Sequence, residues 1–177
     1  MLIQLEDHVK YICKKFACDV VDTNIDEYER RNQFDKDKII DDIYVGKIAE
    51  FATYKLLKRR GKNVVEPDCQ VYGSSKKSFS ADLKDGSFEY HVKCMKASAA
   101  RRFGLSWSFQ KSDKLVTKPK ANDIIVLCEY TDNCDVDIKA LVKAKNMMEL
   151  YTKPVLVRLQ HIKCVLMWDD VYSHLTK

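Results

Sequence analysis

The sequence predicts an α/β protein in which helices flank a mixed central β-sheet. Three observations carry this. The first 60 residues hold two stretches whose apolar residues recur three or four apart, the spacing of a helix face. Residues 124–130 form a run of strand length that is apolar but for Glu129, as a strand covered on both sheet faces requires. Asp85-Gly86 lies between two short alternating segments, a strong hairpin signal.

Taken in order, Leu2, Leu5, Val9, Ile12 and Phe16 predict a helix over 2–18. Residues 19–37 are polar and read as a helix–loop passage. A second helix is expected from Lys38 to Arg60, closed by Lys58-Arg59-Arg60 and the stop residue Gly61. Val64-Val65 starts a short extended segment broken at Pro67. The hairpin spans 78–94. With a turn centred on Asp85-Gly86, Leu83 faces Phe88 and Asp82 faces Glu89. Alternation then puts Asp82, Glu89, His91 and Lys93 on one face, and Leu83, Phe88, Tyr90 and Val92 on the other. Residues 105–109 alternate as another strand. Spacing at Leu141, Ala144, Met148 and Tyr151 predicts a helix over 138–151. Residues 155–157 and 164–168 read as strands, with Asp169 capping a final helical turn through Leu175.

No repeat or long linker divides the chain, so 1–177 is expected to be one domain. Within it, 1–37 would be a helical extension, 38–130 the core, and 131–177 the closing helix and strands. The formal charge of +5 permits a polyanionic partner without requiring one. Seven scattered cysteines and no metal-type spacing point to reduced thiols in a cytoplasmic setting. The N-terminus carries Glu6 and Asp7 inside its apolar pattern and does not read as a secretory leader. No apolar run reaches the roughly 20 residues of a membrane span.

One helical residue stands out. Ile43, Gly46, Glu50, Tyr54 and Leu57 share a stripe, and Glu50 is its single charge. A carboxylate there needs an ion pair, with Lys47 or a sheet lysine, or a metal. A like-charge Asp82–Glu89 pair across the hairpin would also be relieved by a cation.

Asp82, the His91-Val92-Lys93 triplet and the upstream helical Glu50 resemble the PD-(D/E)xK nuclease superfamily over about residues 40–110. The resemblance implies a restriction-endonuclease-like core with Glu50, Asp82, His91 and Lys93 as catalytic residues. Glu50, Asp82 and His91 would hold Mg2+ or Mn2+. His91 departs from the carboxylate or glutamine usual at its position, and imidazole suits manganese better than magnesium; Glu89 is the alternative donor. The literal Pro67-Asp68 pair is the alternative to Asp82. Lys96, Arg101, Arg102, Ser106, Ser108, Gln110 and Lys111 are candidate nucleic-acid contacts, being groups that bind phosphates and base edges. The expected activity is metal-dependent hydrolysis of double-stranded DNA, by a homodimer if both strands are cut. An inactive nucleic-acid-binding relative and an RNase of the same fold are the alternatives.

Overall fold

The computed structural model describes residues 1–29, 33–72 and 81–176. In chain order the elements are β1 (Leu2–Ile3), α1 (Asp7–Glu29), α2 (Lys36–Arg59), β2 (Leu83–Lys84), β3 (Glu89–Lys96), α3 (Ala97–Phe103), β4 (Ser106–Gln110), α4 (Lys114–Thr117), β5 (Asp123–Tyr130), β6 (Val136–Lys143), β7 (Lys163–Met167) and α5 (Trp168–Leu175). Five strands form a sheet in the order β1-β6-β5-β3-β2. β3 and β5 run parallel and the other neighbours antiparallel, so the sheet is mixed. β4 and β7 form a separate antiparallel ribbon. This α/β architecture, a mixed central sheet flanked by helices, matches a restriction-endonuclease-like core.

Asp35 caps α2, its carboxylate accepting from the Lys38 amide at 2.9 Å. The helix ends where Gly61 takes φ +72°, a conformation that favours glycine. Ile48, Ala49, Ala52 and Leu56 of α2 cover one sheet face, packing with Tyr90, Val126, Cys128 and Ile138. The ribbon covers the other face. There Trp107, Phe109 and Leu166 meet Ile125, Leu127 and Val142. Ile125 through Cys128 are all fully buried, which explains the unbroken apolar run. Each such side chain contributes about 1.5–3 kcal/mol over its exposed state.

Several expectations are corrected. Leu2 and Ile3 are not helical but pair with Asp137 and Val136. α1 instead continues to Glu29 through the polar stretch, kinked at Asn24 (φ −128°). Residues 138–151 are not an α-helix: they hold the end of β6 and a 3-10 turn over Ala144–Leu150. The cause is a bulge. Leu127 pairs with Ala140 but Cys128 with Ile138, so Lys139 is the extra residue. Ile138 and Leu141 consequently share the α2 side, while Val142 turns to the ribbon. A strand thus acquires a three-residue apolar spacing. Residues 155–157 are not a strand either. Pro154 supplies no amide, and Val155 and Val157 are exposed. Val64 is buried and Val65 exposed, with no strand formed.

The hairpin register also differs. Leu83 pairs with Tyr90 and Lys84 with Glu89, two residues from the expected alignment. The loop is longer than a two-residue turn. The Asp85 amide donates to the Phe88 carbonyl at 3.2 Å. The Asp85 carboxylate accepts from the Ser87 and Phe88 amides and from the Tyr90 hydroxyl. Glu89 therefore meets Lys84 rather than Asp82, and the like-charge conflict does not arise. Residues 78–80 of the expected hairpin lie outside the described residues.

Candidate metal centre and surrounding groups

Alternation along β3 sends Glu89, His91 and Lys93 to the ribbon side of the sheet. The parallel register sets Glu89 beside Asp123, the first residue of β5. His91 Nε2 lies 3.2 Å from Asp123 Oδ1. One ligand atom from each of Glu89, His91 and Asp123 falls within 4.8 Å of the other two. Asp123 is buried, and its second oxygen accepts from the Lys120 amide at 2.7 Å. Glu89 and His91 are half-buried.

Two carboxylates and an imidazole this close could coordinate a divalent metal ion. The donor set fits: a cation bound at about 2.1 Å sets neighbouring ligands roughly 3 Å apart and opposed ligands roughly 4 Å apart, and the imidazole favours manganese over magnesium. Two ammonium groups compete for the position. Lys120 Nζ is 2.8 Å and Lys84 Nζ 3.2 Å from the Glu89 carboxylate. They hold its pKa below the usual value, Lys120 more than Lys84. Both lysine side chains are more than half exposed, so they can swing away at small cost.

Glu50 lies on the α2 side of the sheet. Lys47 Nζ is 2.6 Å away and also donates to the Asp68 carbonyl. Burial pushes the Glu50 carboxyl up to about 7; Lys47 opposes this, and the Asp82 and Asp68 carboxylates reinforce it. The ion pair expected from Lys47 is present. Asp82 stands at the sheet edge. β2 pairs with β3 only as far as Leu83, and the Asp82 carboxylate accepts from the Val92 amide at 2.7 Å. Asp68 turns to its own loop, accepting from the Gln70 amide and the Tyr72 hydroxyl. The Lys93 ammonium sits 5.4 Å from the centre of the Phe109 ring and has no carboxylate partner among the described residues. The structure thus gathers His91 with Glu89 and Asp123. It places Lys93 on the same face, Asp82 at the edge, and Glu50 beyond the sheet with Lys47.

The candidate nucleic-acid contacts divide. Lys96 is ion-paired with Asp41 and Asp42. Arg101 makes two bonds to Asp132, at 2.6 and 3.2 Å. Arg102 lies over Phe103, 5.0 Å from its ring centre. Ser106, Ser108 and Gln110 alternate with the buried Trp107 and Phe109, so they occupy the outer face of β4, and Lys111 is exposed. The Trp107 indole donates to the Cys128 carbonyl at 2.7 Å, a core role.

Asp123 escaped the reading of the sequence. Its only signal was a carboxylate opening an apolar strand, and the parallel register that brings it to His91 links residues over thirty positions apart. All seven cysteines are free thiols. No described helix is long and apolar enough to cross a membrane. No family model, curated protein or solved structure matches the chain.

Proposed function

We propose that the protein is a divalent-metal-dependent endonuclease of the PD-(D/E)xK type, acting on DNA as a single domain spanning 1–177. The observation that carries this reading is the approach of Glu89, His91 and Asp123 to one another, with Lys93 two residues along the same face of β3. A bound cation supplies charge neutralisation at the phosphate and activation of water. Glu89, His91 and Asp123 hold it. Lys93 offers an uncommitted ammonium to the charge that builds up on the phosphate during attack. The Asp82 carboxylate covers the Val92 amide at the sheet edge, next to the strand that carries His91 and Lys93. Glu50 lies on the α2 side of the sheet, ion-paired with Lys47, with its carboxyl pushed up by burial to about 7. The metal roles that the resemblance implies for Glu50 and Asp82 are part of the proposal and are tested separately from the triad. Gln110 and Lys111 provide outward contacts for the backbone, and Ser106 and Ser108 of the same strand contact the nucleic acid beside them. A homodimer accounts for cutting two strands, and reduced thiols fit a cytoplasmic setting.

The two ammonium groups on Glu89 favour a second reading, a nucleic-acid-binding protein of this fold that does not cleave. A cleavage assay on plasmid DNA and on RNA, with Mg2+, Mn2+ or EDTA, separates the possibilities. Metal-dependent nicking of DNA, lost in His91→Ala, Asp123→Ala and Lys93→Ala, supports the nuclease. If Glu50→Ala and Asp82→Ala abolish cutting while Asp123→Ala does not, the metal lies at the former pair. Binding without cutting under every metal supports the second reading. RNA cut in preference to DNA makes the enzyme an RNase.

A further inference from the structure

A cleft of about 230 Å3 opens between β3, the β4–β7 ribbon and the segment Pro154–Leu159. Its walls include Met95, Leu156, Leu159 and Val165, with Ser106 and Ser108 interspersed. Lys93 is the only charged residue that lines it among the described residues. Lys93 also follows His91 on the same face of β3, a separation of about 6.5 Å along the strand. The cleft therefore adjoins the candidate metal centre and shares an ammonium with it.

From this geometry we infer that the cleft is a subsite for one unstacked nucleotide, and that the substrate carries an unpaired base beside the scissile phosphate. The inference rests on the nuclease reading above and narrows its substrate. Four features select the occupant. The volume is below the roughly 300–1,000 Å3 of sites for drug-sized ligands, which suits a single flat ring system. Aliphatic and thioether walls accept the face of a base, and methionine adapts to its outline. Two serine hydroxyls can serve its polar edge, each as donor or acceptor. The ammonium then selects an anionic ligand and takes the attached phosphate, which it holds next to Glu89, His91 and Asp123. A base inside an intact duplex cannot enter without being extruded, and extrusion is cheapest where the base is unpaired or the strand is single.

The test uses binding in EDTA, so it does not depend on the metal. Fluorescence anisotropy at low salt compares a labelled oligothymidylate with a blunt duplex of equal length. The proteins are the native chain, Leu156→Trp and Leu159→Trp; both substitutions fill the cleft from half-exposed positions on its far wall. Stacking of one base is worth about a tenfold change in Kd or more. The native chain is expected to bind the single strand at least about tenfold tighter than the duplex. Each filled variant is expected to lose about tenfold for the single strand and to change duplex binding by less than about twofold. Duplex preferred by the native chain, or single-strand binding unchanged in both variants while circular dichroism shows them folded, overturns the inference. If in that case the duplex is still bound in EDTA and is cut once Mg2+ or Mn2+ replaces the EDTA, the nuclease reading stands and only the cleft assignment fails. If neither form binds, both fail.

Discussion

Replacing Asp85 by Asn tests how the hairpin is held, and the expected size of the effect follows from its contacts. The Asp85 side chain is 3% exposed. Burial alone would raise its pKa. The Phe88 amide at 2.7 Å, the Tyr90 hydroxyl at 2.9 Å, the Ser87 amide at 3.0 Å and Lys62 at 3.3 Å prevail and bring it from 3.8 down to about 2. A tenfold change in proton affinity equals about 1.4 kcal/mol, so the carboxylate contributes about 2 kcal/mol at neutral pH. Asn keeps one acceptor but loses the charge, and it presents an amide donor to a hydroxyl and an ammonium. Urea denaturation at pH 7 should show Asp85→Asn less stable by about 2 kcal/mol, or about 4–8 °C in Tm for a chain of this length. The sign with pH is fixed. A lowered carboxyl pKa gives stability that is full above the unfolded value near 4 and lost as pH falls through about 2. At pH 3 about half of the difference should remain. A difference below about 0.5 kcal/mol at pH 7, or one that is the same at pH 7 and pH 3, refutes the reasoning.

Three further expectations concern single side chains. Lys47→Met leaves the Glu50 carboxylate buried without its partner, so stability should fall by about 3 kcal/mol at pH 8. The loss should be smaller at pH 5.5, because a raised carboxyl pKa favours the protonated form and its penalty grows as pH rises from 4.5 through about 7; urea titrations at both pH values decide. Trp107→Phe strips the Cys128 carbonyl of the indole bond and leaves a void in the ribbon core, for about 2–3 kcal/mol in the same assay. Gly104 has φ +78° and ψ 149°, a region nearly exclusive to glycine, and an added Cβ would lie 3.1 Å from Met167 Cε. Gly104→Ala should cost about 1–3 kcal/mol, read as a drop in Tm.

Local signals account for what was legible beforehand. α2 announces itself by a repeating apolar face and a glycine stop, and β5 by four consecutive buried residues. Asp85-Gly86 marks the hairpin, though not its register, because the carboxylate folds back on the loop amides and lengthens the turn. β6 was hidden by one inserted residue, Lys139, which switches the strand's inner side midway and imitates helical spacing. Val155 and Val157 imitate a strand although solvent covers them. Half of the candidate centre was visible, since His91 and Lys93 lie in one strand. The other half was not: Asp123 arrives through parallel pairing, which leaves no mark in the local sequence, and Glu89 was read only as an alternative donor.

Asp82 has a consequence outside any chemistry. Past Tyr90, no described strand pairs with β3 on the β2 side, and Val92 would present a bare amide there. Such a donor invites a stray chain to extend the sheet, and a carboxylate seated on it acts as a stopper. Asp82→Ala removes the stopper, so that variant should self-associate at high concentration. Its activity has to be read on the monodisperse fraction, or clumping will pass for a lost reaction.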